Sequence, residues 1–162
     1  MLDAEIKEYI IKGMIEISDF RRYSLFDGLE QEQIESILPL MNYEVYESGV
    51  NIITEGSQNG KIFFILEGQV KAIKGGIILE EMGPGAFFGE MEVLDILPSA
   101  ATVKAIVKTN AMVLSLDTLG EIYETDLKIY SFIIMNLARD LSRRLRRLDT
   151  MVSNESPLME WN

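Results

Sequence analysis

The chain predicts a mainly β domain, a sandwich or roll of short strands, with helices at both ends. Three observations carry this. Nine of the twelve glycines lie between Gly49 and Gly89. Short runs rich in β-branched and aromatic residues alternate with those glycines, as in compact antiparallel folds. The apolar spacing is helical before Met41 and again after Leu116.

In chain order, Ile6, Ile10, Met14 and Ile17 recur at three- and four-residue steps, which predicts an amphipathic helix over Met1–Ser18. A second, short helix starts near Glu30, turns Ile34, Ile37 and Leu38 inward, and stops at Pro39–Met41. Strands are predicted at Lys61–Leu66, Gln69–Lys74, Ile77–Met82, Ala101–Val107 and Ala111–Leu116. Gly75-Gly76 marks a tight hairpin, because both residues reach positive φ without steric cost. Asp117 or Thr118 caps a short helix that runs through Thr125. A long helix follows from about Asp126 to Leu148. The expected organisation is an N-terminal helix over 1–20, one domain over 21–148 (roll about 43–117, C-terminal helices about 118–148), and a flexible tail over 149–162 that contains Pro157.

Composition removes several function classes. The chain has 162 residues, 48% of them hydrophobic, enough for one domain with a real core and too apolar for a disordered chain. Cysteine and histidine are both absent, so disulfides, zinc or iron–sulfur clusters and a histidine base cannot be built. No catalytic residue and no metal ligand set is expected, and the chain is read as a non-enzyme. The net charge of −11 opposes nucleic acid and anionic membranes. The longest apolar stretch, Ile129–Ala138, is too short to span a bilayer, and Asp3, Glu5 and Glu8 replace a basic leader. A cytoplasmic protein without membrane contact is the expectation.

One segment is specific: Gly85-Ala-Phe-Phe-Gly-Glu90-Met-Glu-Val-Leu-Asp-Ile-Leu-Pro-Ser99-Ala-Ala-Thr-Val-Lys-Ala105. It resembles the phosphate-binding cassette of cyclic nucleotide-binding domains. Glu55-Gly56, Phe63-Phe64-Ile65-Leu66-Glu67-Gly68 and Gly83-Pro84-Gly85 extend the likeness in order and spacing. The resemblance covers roughly Leu25 to Leu148. It implies a double-stranded, jelly-roll-like β-roll flanked by N-terminal helices and a long C-terminal helix. It also implies a regulatory module in signal transduction, with a cyclic nucleotide (cyclic AMP or cyclic GMP) as ligand and no cofactor. Members that bind DNA continue into a helix-turn-helix domain. This chain is expected to act as a stand-alone module without one.

By the same resemblance, Gly89 opens a short helix and Glu90 accepts the ribose 2′-hydroxyl. The amides of Ala100 and Ala101 and the hydroxyl of Thr102 surround the phosphate. Serine stands at position 99, where the family places an arginine, and no arginine occurs between Arg22 and Arg139. An arginine gives a bidentate, charge-assisted contact, whereas Ser99 offers one neutral hydrogen bond. Glu92 and Asp95 add negative charge beside Glu90. Weak or altered cyclic nucleotide binding is therefore expected, with an arginine from another segment or subunit as the one remedy. Gly89, Ala100, Ala101 and Val103 equally suit a roll that keeps its turn and has lost its ligand, a scaffold for dimerisation or for an unidentified protein partner.

The long helix carries Tyr130, Ile134, Leu137, Leu141, Leu145 and Leu148 at helical spacing, a seam that suits a second helix. A homodimer through this helix is expected. Arg143, Arg144, Arg146 and Arg147 form a basic block on the same stretch. It suits contact with an acidic partner or nucleic acid, or else a solvated helix end at the negative pole of the helix dipole, the reading that the overall negative charge favours.

Overall fold

A computed structural model describes residue 20 and residues 23–155, with side chains to residue 153. The helix predicted over Met1–Ser18 and the tail after residue 155, Pro157 and Trp161 included, lie outside the described residues.

Among the described residues, eight strands form two antiparallel sheets: β1 (Asn42–Tyr46), β2 (Asn51–Ile53), β3 (Lys61–Glu67), β4 (Val70–Lys74), β5 (Ile77–Met82), β6 (Phe87–Phe88), β7 (Thr102–Ala105) and β8 (Thr109–Ser115). One sheet has the order β1-β8-β3-β6 and the other β2-β7-β4-β5. The helices are α1 (Gln31–Ile37), α2 (Glu90–Asp95), α3 (Leu116–Thr125) and α4 (Leu127–Glu155). This is the expected β-roll with flanking helices and a long C-terminal helix.

The alternation along β3 explains the layering. Phe63 and Ile65 face the space between the sheets and pack with Ile53, Val70, Met82, Phe88, Val103 and Val113. Ile62 and Phe64 face the other way, into a core shared with Ile34, Ile122, Ile129, Ile133 and Leu137 of the helices. The first sheet is thus buried on both faces, and the helical layer is fixed to the roll. Among the described residues, no helix is long and apolar enough to cross a membrane.

Several boundaries differ from the sequence reading for physical reasons. The cap of α3 is Ser115, whose Oγ accepts from Thr118 N at 3.1 Å, rather than Asp117 or Thr118. Asp126 caps α4, accepting from the amides of Lys128 and Ile129 at 3.0 Å each. The helix α4 continues past Leu148 to Glu155, because Asp149–Glu155 contains no glycine or proline to stop it. Strands β1, β2 and β6 extend the predicted set.

Candidate functional site

The cassette connects the two sheets. It leaves the first at β6, turns at Gly89, forms α2, and enters the second at β7. Gly89 has φ 84 and lies so close to β3 that a Cβ there would stand 2.5 Å from the Lys61 carbonyl oxygen. Asn59 Nδ2 donates to the carbonyls of Lys61 (2.8 Å) and Gly89 (3.2 Å), tying the turn to the loop before β3. The far end of the cassette meets the same loop. Gly56 N donates to Ser99 O and Ser99 N to Ser57 O, both at 2.8 Å. Glu55 N donates to Thr102 Oγ1 at 3.0 Å. Loop 54–59 therefore clamps Gly89, Ser99 and Thr102 into one unit. The end of α2 is held by Ile96 at φ 60, a left-handed conformation rare for a β-branched residue.

Glu90 is buried, and its partner comes from α4. Arg144 Nη1 donates to Glu90 Oε1 at 2.8 Å, and Nη2 donates to the Phe87 carbonyl at 2.7 Å. The guanidinium also meets Asp140 Oδ2 at 2.8 Å and lies 5.7 Å from the centre of the Phe87 ring. Arg147 reaches Glu80 of β5 at 3.4 Å. Burial pushes the Glu90 carboxyl above its ordinary value; Arg144 pulls it back in part, while Asp140 and Glu92 add to the rise.

The structure brings Gly89, Glu90, Ser99 and Thr102 together, with Ala100 and Ala101 half-exposed between them. It adds Arg144, which the sequence places only in the basic block of the long helix. Two cassette atoms are buried without a hydrogen-bond partner among the described residues: Glu92 Oε2 and Ser99 Oγ. Val103 and Ala105 are buried, so Lys104 between them turns to the opposite face of β7. No group of three or more metal-ligating side chains occurs among the described residues.

The predicted helix seam divides. Leu137 is fully buried in the chain's own core and leaves no surface for a second chain. Tyr130, Ile134 and Leu141 are half-buried. Leu145 and Leu148 are 60% and 58% exposed. The helix does not simply run past the roll at this end, because Arg144 and Arg147 hold it to Glu90 and Glu80.

The sequence profile of the cyclic nucleotide-binding domain matches residues 43–126, just over half of the chain. A cAMP-dependent protein kinase regulatory subunit from Yarrowia lipolytica is 36% identical over 50% of this chain and 22% of its own length. A cyclic AMP receptor protein from Thermus thermophilus is 28% identical over 77% of this chain and 58% of its own. The chain thus spans about a fifth of the first relative and under two thirds of the second. A crystal structure of a cyclic nucleotide-binding domain from Methylobacillus flagellatus superposes with TM-score 0.77, covering 90% of this chain and 84% of that one at 24% identity. On the profile match, and with the roll and its cassette in place, the chain belongs to the cyclic nucleotide-binding domain family.

Proposed function

We propose that the chain is a non-enzymatic regulatory sensor whose cassette binds cyclic AMP or cyclic GMP weakly or in altered form. One observation carries the reading. The arginine that reaches the cassette, Arg144, is already shared by Glu90, Asp140 and the Phe87 carbonyl. A buried phosphate needs a compensating cation, and Ser99 supplies none. The contact between α4 and the cassette also gives a route for signalling, since a ligand that prefers one placement of α4 shifts the population toward it.

Ser99→Arg tests this reading. Replacing a neutral hydrogen bond with a charged one should strengthen cyclic AMP binding by about tenfold or more. Adding Glu92→Ala should strengthen it further. Calorimetry that detects no cyclic AMP binding to either variant would contradict a cassette still competent for ligand.

A second reading, a dimerisation or docking scaffold without small ligand, is favoured by the far half of α4. Ile134, Ala138, Leu141, Leu145, Leu148 and Val152 step by four and three residues beside the buried face. Leucines left in water at Leu145 and Leu148 favour a homodimer, as burial stabilises by about 25 cal/mol per Å². Light scattering should give a dimer for the wild type and a monomer for Leu145→Glu/Leu148→Glu. A monomeric wild type removes the dimer from the account.

A further inference from the structure

We infer that the cassette selects an uncharged nucleoside in preference to a cyclic nucleotide. The inference rests on the reading of the cassette as a ligand site, and its deciding residue is Glu92. This carboxylate sits on α2, is 9% exposed, and its Oε2 has no partner among the described residues. Ser99 is 3% exposed, and its Oγ is the second such atom in the cassette. Loop 54–59 binds Gly89, at one end of α2, through Asn59, and Ser99, beyond the other, through Gly56 and Ser57. One rigid unit therefore holds both atoms.

The charges around that unit are unbalanced. Glu90, Glu92 and Asp140 are close enough for Asp140 and Glu92 both to raise the Glu90 carboxyl. Against them stands Arg144, whose hydrogen bonds end on Glu90 and Phe87 and whose Nε meets Asp140. Lys104 points away, as shown above. Among the described residues, an anion entering here meets a surplus carboxylate and no available cation. Ser99 Oγ can donate to a phosphate, but the Glu92 carboxylate repels it.

A cyclic nucleotide is a nucleoside in which two sugar oxygens are joined through one anionic phosphate. Without that phosphate, the same oxygens become hydroxyls, each a donor. Glu92 Oε2 is an acceptor, and Ser99 Oγ is an acceptor as well as a donor. A nucleoside thus satisfies the atoms that the fold leaves unsatisfied and adds no charge. Sites built around such buried polar atoms discriminate strongly against ligands that leave them unpaired.

The test is calorimetric titration of the full chain with adenosine and guanosine, each against its own 3′,5′-cyclic monophosphate. At least one nucleoside should bind roughly tenfold or more tighter than its cyclic monophosphate. Glu92→Gln should shrink that ratio, and Glu92→Ala with Ser99→Arg should reverse it. A cyclic monophosphate that binds the wild type as tightly as its nucleoside, or tighter, overturns the inference and leaves the sensor reading intact. Absence of nucleoside binding also overturns it. In that case, cyclic monophosphate binding by the double variant keeps the sensor reading, and its absence removes that too.

Discussion

Arg144→Ala should destabilise the fold by about 3 kcal/mol at neutral pH, because it strands a buried carboxylate. Glu90 is 1% exposed, and its charged partner is Arg144 at 2.8 Å. The substitution also removes the donor to the Phe87 carbonyl and detaches α4 from the cassette. The pH dependence follows from the direction of the Glu90 shift. Its folded-state value is raised above 4.5 by burial, against the pull of Arg144. A raised carboxyl favours the folded state below the unfolded value, and that contribution is lost as pH rises through the folded value. Removing Arg144 raises it further, so the deficit of the variant should grow as pH increases. Urea unfolding at about pH 5 and about pH 7.5 measures this. Arg144→Ala combined with Glu90→Gln should recover much of the loss at the higher pH. A deficit that is small and independent of pH would mean that the pair contributes little.

Gly89→Ala should cost about 2–4 kcal/mol, through backbone conformation and close approach together. The new Cβ would stand 2.5 Å from Lys61 O and 2.9 Å from Asn59 Nδ2, at φ +84. Gly49→Ala is the matched control, with φ +86 and nothing within 4 Å of the added carbon. It should cost only about 1 kcal/mol, the conformational part. Thermal or urea unfolding of both variants isolates the part due to contact with β3. Equal losses would show that the Gly89 turn yields without strain.

The roll was legible because its strands alternate and its turns need glycine. Lys61–Leu66 and Ile77–Met82 carry enough β-branched and aromatic residues to be read singly. Strand β6, only Phe87–Phe88, is too short for any period. It exists because Phe88 stacks on Phe63 at 4.9 Å within the first sheet. The cassette was legible from its residue order. Its cation was not, since the contact of Arg144 with Glu90 spans 54 positions and no local pattern encodes it. The absence of arginine from the roll was the one available signal that a cation must come from elsewhere. Leu137 was misplaced on the seam because helical spacing gives a face without saying what covers it. Its neighbour Ala138, exposed beside the seam, takes that step.

The most direct test of the central claim is calorimetric titration of the wild-type chain with cyclic AMP. With Arg144 held by Glu90 and Asp140, and serine at position 99, the expected result is a dissociation constant weaker than about 10 μM, or no measurable heat. Binding at about 10 μM or tighter would contradict the account, for it would require a cation at the phosphate that this cassette does not hold free.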